Sequence, residues 1–553
     1  MPKTNDATDR LSWHPEPELI RVVDPATSRE ALRRAGAAAW ETGLDYLYDH
    51  ALERAMGEPA GYAELRALYF GPSGRPGLAP KGPARLEAVL AEFGERIAPH
   101  TVSAYHPRSY GYFTPPPLIA SIVGELLAQF AQQGVDLWHA GPVGAFVEED
   151  VLRWLCDLVG YGPESFGILT SGGTMANFTG MALARDVHLG RLLGRGRAPR
   201  GADLEGVRVY ASDQSHFSIR RALDELGFPS ETLAVVPADP DFRLRGDALA
   251  TAVTRDRVAG LRPVAIAGVV GSTNTGSIDA VGELADVAAR EDLWFHVDAA
   301  YGAAARLSAR DAGLVTDLER ADSVTVDPHK WFFQSYDIGA ILVREGGLLE
   351  EAFGGGTPEY YRGGEGRAKP STAPEADADD DGGHGEAGQL NFWKLGFEGS
   401  RRWRALKLWL CWKHLGTLGF GKLVEANIDL ARHLARRVAA SDDFEALPAE
   451  PPLSVVCFRH LPGGREAAHA LDPRALDDHQ DHLQRALEQG GEAWVSTTRL
   501  RGGTWLRAGV LNTQATESDI DAMLSIVRRL ASSLDESAAL DLPPTAGPGK
   551  RPR

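Results

Sequence analysis

The chain has 553 residues, 43% hydrophobic and 24% charged, the composition of a soluble globular protein with room for two or three domains. With 58 basic against 76 acidic residues the formal net charge is −18, which argues against nucleic acid or anionic membrane as a partner. No apolar run reaches the length of a membrane span, residues 1–20 lack a signal-peptide core, and the three scattered cysteines (Cys156, Cys411 and Cys457) suggest neither a disulfide framework nor a zinc site, so a reducing cytoplasm is the expected location.

A polar start over 1–27 reads as disordered or extended. Helical patterns such as 85–97 fill 28–131. Within them lies Ala104-Tyr-His-Pro-Arg-Ser-Tyr-Gly-Tyr-Phe-Thr-Pro-Pro-Pro117, which cannot be a regular helix. This stretch reads either as a binding loop or as aromatic packing at a domain seam. From 132 to 412 strands and helices alternate, which predicts an α/β domain with a mostly parallel sheet. The predicted strands are 166–170, 207–211, 232–236, 264–270, 293–297, 322–326 and 338–343.

Polar motifs follow the ends of these strands, where open α/β sheets bind ligands. After the first comes Thr170-Ser-Gly-Gly-Thr-Met-Ala-Asn177, a glycine turn opening a helix. Gly173 and Thr174 there form a phosphate cradle, or merely a turn. After the second comes His216, able to stack on a flat ring, or only a helix-start histidine bonded to backbone. The strand ending near Val270 leads to a hydroxyl-rich turn with Thr273. The next ends in His296-Val-Asp-Ala-Ala-Tyr-Gly302, whose Asp298 faces the same crevice; read alone, it is equally a helix cap or a salt-bridged acid. The sixth ends in Val326-Asp-Pro-His-Lys-Trp331. Read alone, Lys330 is an ordinary strand-end lysine or, on such rigid, apolar scaffold, a usable amine for a Schiff base, above all with pyridoxal phosphate (PLP). A carboxylate such as Asp298 is what PLP chemistry requires at the pyridine nitrogen.

Beyond the sheet, 357–392 is rich in Gly, Ala and Asp and reads as a solvated loop. A smaller α/β domain is expected over 413–541, with helices at 423–438 and 517–530 and strands at 453–459 and 504–511. The tail 542–553 reads as disordered. His479 and His482 stand at i and i+3 on a polar helix without further placed ligands, a solvated face, and no metal site is expected.

Taken together, these residues resemble the group II PLP-dependent amino-acid decarboxylases, the family of aromatic-L-amino-acid, glutamate, histidine and diaminobutyrate decarboxylases. The similarity runs from about Gly36 to Leu530. It implies a fold type I, aspartate aminotransferase-like architecture with a helical, dimer-forming N-terminal segment. By resemblance Lys330 binds PLP covalently, Asp298 pairs with the pyridinium and His216 stacks on the ring. Gly173 and Thr174 bind the phosphate, with Thr273, Asp327 and His329 close by. Some relatives carry Asn where this chain has Asp327, and an acid there repels phosphate unless turned away. Tyr112, Phe113 and Trp138 are the implied pocket walls. The 357–392 stretch corresponds to a mobile lid, longer and more acidic here. Its Tyr360 matches the family's proton donor, although Tyr361 is adjacent. Arg401 is placed toward the phosphate or the lid, or in a plain charge run. The implied activity is decarboxylation of an L-amino acid, aromatic by preference, in a homodimer. Alternatives are an acidic or diamino substrate, an aromatic aldehyde synthase, and, further off, a PLP lyase or aminotransferase or a PLP-free scaffold.

Overall fold

The computed structural model describes residues 13–20, 24–50, 56, 61–196, 198–355 and 389–540. Most of the expected lid, with Tyr360 and Tyr361, lies outside them. Seven apolar runs form one sheet: β1 Phe166–Thr170, β2 Val207–Ser212, β3 Leu233–Val236, β4 Arg262–Val269, β5 Trp294–Asp298, β6 Ser323–Val326 and β7 Gly339–Val343. Their order is β1-β7-β6-β5-β4-β2-β3. The block from β6 to β3 is parallel, and β7 runs antiparallel to both β6 and β1.

Parallel neighbours need crossovers. Helix Gly173–Leu183 carries the chain from β1 to β2, and helices Phe217–Glu225, Gly246–Val258 and Val281–Glu291 lie in the connections from β2 to β3, β3 to β4 and β4 to β5. Val281, Leu284, Ala285 and Ala288 show why the last folds as it does: one apolar stripe at helical spacing is buried. Strands covered on both faces are continuously apolar, and every residue of β5 and β6 is buried.

β1 is an edge strand, yet its outer side is not open. Leu169 N–H donates to Glu148 Oε1 (3.2 Å), and Leu169 C=O accepts from Arg401 Nη2 (2.8 Å). Glu148 and Arg401 pair with each other at zero side-chain exposure. Arg401 Nη1 also donates to Val135 C=O (3.1 Å). Two side chains thus replace a missing strand.

A second sheet, order β10-β11-β9-β8, is antiparallel throughout: β8 Phe444–Ala446, β9 Val455–His460, β10 Ser496–Leu500 and β11 Gly503–Gly509. Helices Pro473–Gly490 and Glu517–Leu540 pack beside it. The helix Ala405–Ala439 reaches it from the large sheet, with a break at Gly416, whose φ of 63° favours glycine. In the N-terminal segment, helix Pro25–Asp45 starts on an N-cap: Asp24 accepts from Thr27 N–H at 2.8 Å. Among the described residues, no helix is long and apolar enough to cross a membrane.

Removing one partner of the Glu148–Arg401 pair strands the other charge in the interior. Glu148→Ala should therefore cost about 3–5 kcal/mol, read as an earlier midpoint in denaturant titration, while Glu148→Gln, which keeps an acceptor oxygen, should lose less. An unshifted midpoint in Glu148→Ala would deny the pair this bracing role.

Candidate active site

The C-terminal ends of β1, β2, β4, β5 and β6 deliver their motifs to one cavity of about 380 Å³. Gly173, Thr174, His216, Thr273, Asp298, Asp327, His329, Lys330 and Phe113 all line it. A larger cavity of about 790 Å³ lies beside Asp279, Glu283 and Pro452. It holds none of these groups, so the chemistry marks the smaller one.

Lys330 stands at the head of a tight turn, its N–H bonded to Asp327 C=O (2.9 Å). Its Nζ pairs with Asp327 Oδ2 at 3.1 Å. Asp327 is buried, and its Oδ1 has no hydrogen-bond partner. His329 Nδ1 accepts from Ile338 N–H (3.2 Å), which leaves Nε2 carrying the proton, 3.6 Å from Asp327 Oδ2. Burial lowers the His329 pKa. Below Lys330, Trp331 stacks on Tyr301 at 4.8 Å and donates to Asn427 Oδ1 (3.0 Å), fixing the turn to the long helix.

The glycine turn is built by close approach. Gly172 has φ 148°, and a Cβ on Gly173 would stand 2.7 Å from Asp327 Oδ2. On β7, a Cβ on Gly339 would stand 2.5 Å from Gly172 Cα. The N–H groups of Met175 and Ala176 return to Gly172 C=O, leaving those of Gly173 and Thr174 at the helix start for an anion.

Asp298 is held by hydrogen bonds alone. Its Oδ2 accepts from Asn177 Nδ2 (2.8 Å) and its Oδ1 from Ala300 N–H (3.2 Å). His216 caps helix Phe217–Glu225: its Nδ1 accepts from Ser218 N–H (3.3 Å) and lies 2.8 Å from Ser218 Oγ. Burial lowers the His216 pKa, with the charges of Lys330 and Arg221 in the same direction and those of Asp298 and Asp327 against.

An amine, an acid at a strand end, an imidazole and a phosphate-type helix start in one cleft fit PLP, and the cavity falls in the size range of small-ligand sites. The conserved pattern of the pyridoxal-dependent decarboxylase domain matches residues 73–365 and 377–461, more than half of the chain. The chain belongs to this family. It is a PLP-dependent amino-acid decarboxylase by descent. The unmatched gap falls inside the acidic stretch. The aromatic-L-amino-acid decarboxylase of Bacillus atrophaeus is 31% identical over 433 residues, 78% of this chain and 82% of that one. The L-2,4-diaminobutyrate decarboxylase of Rhizobium meliloti is 29% identical over 450 residues, 81% and 83%. Among solved structures, Oryza sativa TDC with PLP and tryptamine superposes with a TM-score of 0.79 at 23% identity, over 93% of this chain and 99% of that one, a likeness of fold.

Two expected pocket walls do not line the decarboxylase cavity within this chain. Tyr112 is 61% exposed, and its ring stands edge-on to Trp494 at 5.3 Å. Trp138 packs edge-on against Phe146 at 5.0 Å. Tyr112 sits in a turn with φ 55°, and this left-handed backbone turns its ring out while Phe113 turns in. Arg401 also stays out, buried behind β1. Sequence reasoning missed Arg507, delivered by β11 from the far end of the chain. Its Nε donates to Thr273 C=O (2.7 Å), its guanidinium lies 4.5 Å from the Phe113 ring centroid, and its buried Nη2 has no partner. No local signal marks it.

His296 lies behind Asp298, fully buried, its pKa pushed down from 6.5 to about 4 by burial. The folded protein thus leaves it neutral while an unfolded chain takes up a proton below pH 6.5. Its contribution to stability is complete above that value and is lost as pH falls toward 4. Denaturation midpoints followed across this window should drop more steeply in the wild type than in His296→Gln. Parallel slopes would count against the assignment.

Proposed function

We propose that this decarboxylase acts on an aromatic L-amino acid, releasing CO2 and the aromatic amine. The aromatic wall of the cavity supports this reading. Phe113 and Phe217 line it, and Phe113 is braced by Tyr301 at 4.5 Å. An acidic substrate is the second reading, favoured by Arg507 with its unpartnered Nη2. Phe113 lies over that guanidinium, and Arg507 does not line the cavity, so the aromatic reading is preferred.

When bound, PLP supplies the electron sink that accepts the pair released from the Cα–carboxylate bond. Lys330 would hold it covalently through Nζ and would serve product release by the same amine. The N–H groups of Gly173 and Thr174 bind the phosphate, with Thr273 and His329 around it. Asp298 keeps a proton at the ring nitrogen. His216, with Nδ1 occupied by its helix, presents Nε2–H to the cavity. Asp327 lies against Gly173 but carries its counter-ion, Lys330, on the same oxygen, and that pairing offsets its charge near phosphate. Tyr360 donates the proton to Cα and lies outside the described residues. A reducing cytoplasm agrees with three buried free thiols.

The test is mass spectrometry of products from PLP-loaded enzyme given a panel of L-amino acids. An aromatic amine with matching CO2 is expected. An ω-amino acid product from glutamate or aspartate would select the second reading. Aldehyde with ammonia and peroxide would remove Tyr360 from the proton-donor role. Lys330→Ala should lose the visible absorbance of lysine-bound cofactor; retention of that band would defeat the Lys330 assignment.

The homodimer is supported by exposed apolar side chains on two adjacent helices. Leu126, Leu127 and Phe130 belong to Ile119–Ala131, and Val143 and Phe146 to Pro142–Val159. Light scattering should give twice the chain mass, and Leu127→Asp with Phe130→Asp should halve it. A monomeric wild type at micromolar concentration would refute the dimer.

A further inference from the structure

Asn177 is the fifth residue of helix Gly173–Leu183, one turn beyond the glycine pair and facing the sheet. It is 1% exposed and makes all four hydrogen bonds an amide can make. Nδ2 donates to Asp298 Oδ2 (2.8 Å) and to Ser218 Oγ (2.8 Å). Oδ1 accepts from Thr325 Oγ1 (2.7 Å) and His296 Nε2 (2.9 Å). The partners dictate the orientation. A carboxylate only accepts, so the amide nitrogen must face Asp298.

This polarity propagates on both sides. His296, neutral and donating through Nε2, accepts at Nδ1 from Ser323 Oγ (2.9 Å), and Ser323 Oγ accepts from Trp294 Nε1 (3.1 Å). Ser218 Oγ, already accepting from Asn177, is left to donate to His216 Nδ1 (2.8 Å). Every donor points the same way, from the sheet interior toward the cavity, and such chains polarise one another.

We propose that Asn177 is a positioning residue that couples Asp298 and His216, holding the first as a hydrogen-bond acceptor and the second as the Nε2–H tautomer. Asn177 stands in the cavity wall, but its amide is fully engaged by protein partners, so it acts through Asp298 and His216. The inference rests on the roles proposed above for Asp298 and His216. Asn177→Asp keeps the shape and the two acceptor contacts on Oδ1 but reverses the other side. It sets a second carboxylate against Asp298 and gives the Ser218 hydroxyl an acceptor to turn toward. The charged groups already acting on His216 are Asp298, Asp327, Lys330 and Arg221.

The experiment uses full-length protein labelled with ¹⁵N-histidine, the His216 ring resonances being assigned by difference with His216→Gln. In the cofactor-free wild type, His216 should carry its proton on Nε2. In Asn177→Asp its titration should move up by about one pH unit or more, because two carboxylates now favour the charged ring. PLP titration of the same protein should show affinity weakened by about tenfold, because like charges raise the proton affinity of the pair that must serve the ring nitrogen. An unmoved His216 titration with PLP affinity within about twofold of wild type overturns the proposal. If Asn177→Asp does not fold, Ser218→Ala decides. It removes only the hydroxyl bond to His216 and keeps the backbone N–H bond, so the Nδ1 resonance should shift part of the way toward its unbonded position while PLP affinity holds, and an unshifted resonance overturns the proposal. Because the His216 titration is read without cofactor, failure of the Lys330 spectral test would strike the site assignment and leave this result separate.

Discussion

Burial of the Asp298 carboxylate is the constraint around which the site is arranged. It sits at the end of a fully buried strand, and among the described residues no Lys, Arg or His stands within ion-pair distance of it. A buried charge without a counter-ion is tolerated only where hydrogen-bond donors replace water. Asn177 and Ala300 N–H do so, and Asn177 is in turn held by Thr325 and His296 from neighbouring strands. The helix after the glycine turn therefore has two tasks. Its first turn offers N–H groups to an anion, and its second turn anchors the acid.

The other acid of the cleft is handled differently. Asp327 has a counter-ion, Lys330, at 3.1 Å, and its second oxygen is unbonded. Gly173 and Gly339 close in on it so tightly that a Cβ on either would collide with a carboxylate oxygen. The two carboxylates thus divide the labour by surroundings, one stabilised by neutral donors and one by the amine. Separating like charges this way lets a single small cavity contain both.

Much of this was legible in the sequence, for a physical reason. Strands buried on both faces must be continuous apolar runs, and the polar residues that end them are conspicuous, so all seven strands of the large sheet fall within two residues of the predicted bounds. Short or edge strands do not announce themselves. β8 has three residues, and β10 buries only Ser496 and Leu500, so neither was foreseen. The helical pattern read at 423–438 is continued in the structure back to Ala405 as one helix kinked at Gly416. Asn177 was visible as the last residue of the glycine motif but without a role, because its partners come from β5, β6 and the next helix. The same holds for Arg507, whose contact with Thr273 spans 234 residues. Tyr112 and Phe113 show the finer limit: composition marks an aromatic loop, and only backbone geometry, with Tyr112 at φ 55°, decides which ring faces in.

The division between sheet and loops also explains why the chemistry is firmer than the substrate. The groups proposed to hold the cofactor follow strand ends of one sheet, where a shift of a single residue would turn a strand to the wrong face. The aromatic side chains of the cavity come from elsewhere, Phe113 from the 104–117 stretch and Phe217 from a helix start, and Arg507 behind Phe113 comes from the small domain. Relatives of comparable identity accordingly carry different names, one for aromatic amino acids and one for 2,4-diaminobutyrate. Loops tolerate exchange because little core depends on them. In this chain Phe113 packs on Tyr301 on one side and covers Arg507 on the other. On the aromatic reading proposed above, this one ring separates a buried cation from the cavity, and its exchange is the change expected to alter specificity without disturbing the strand-end groups beneath it.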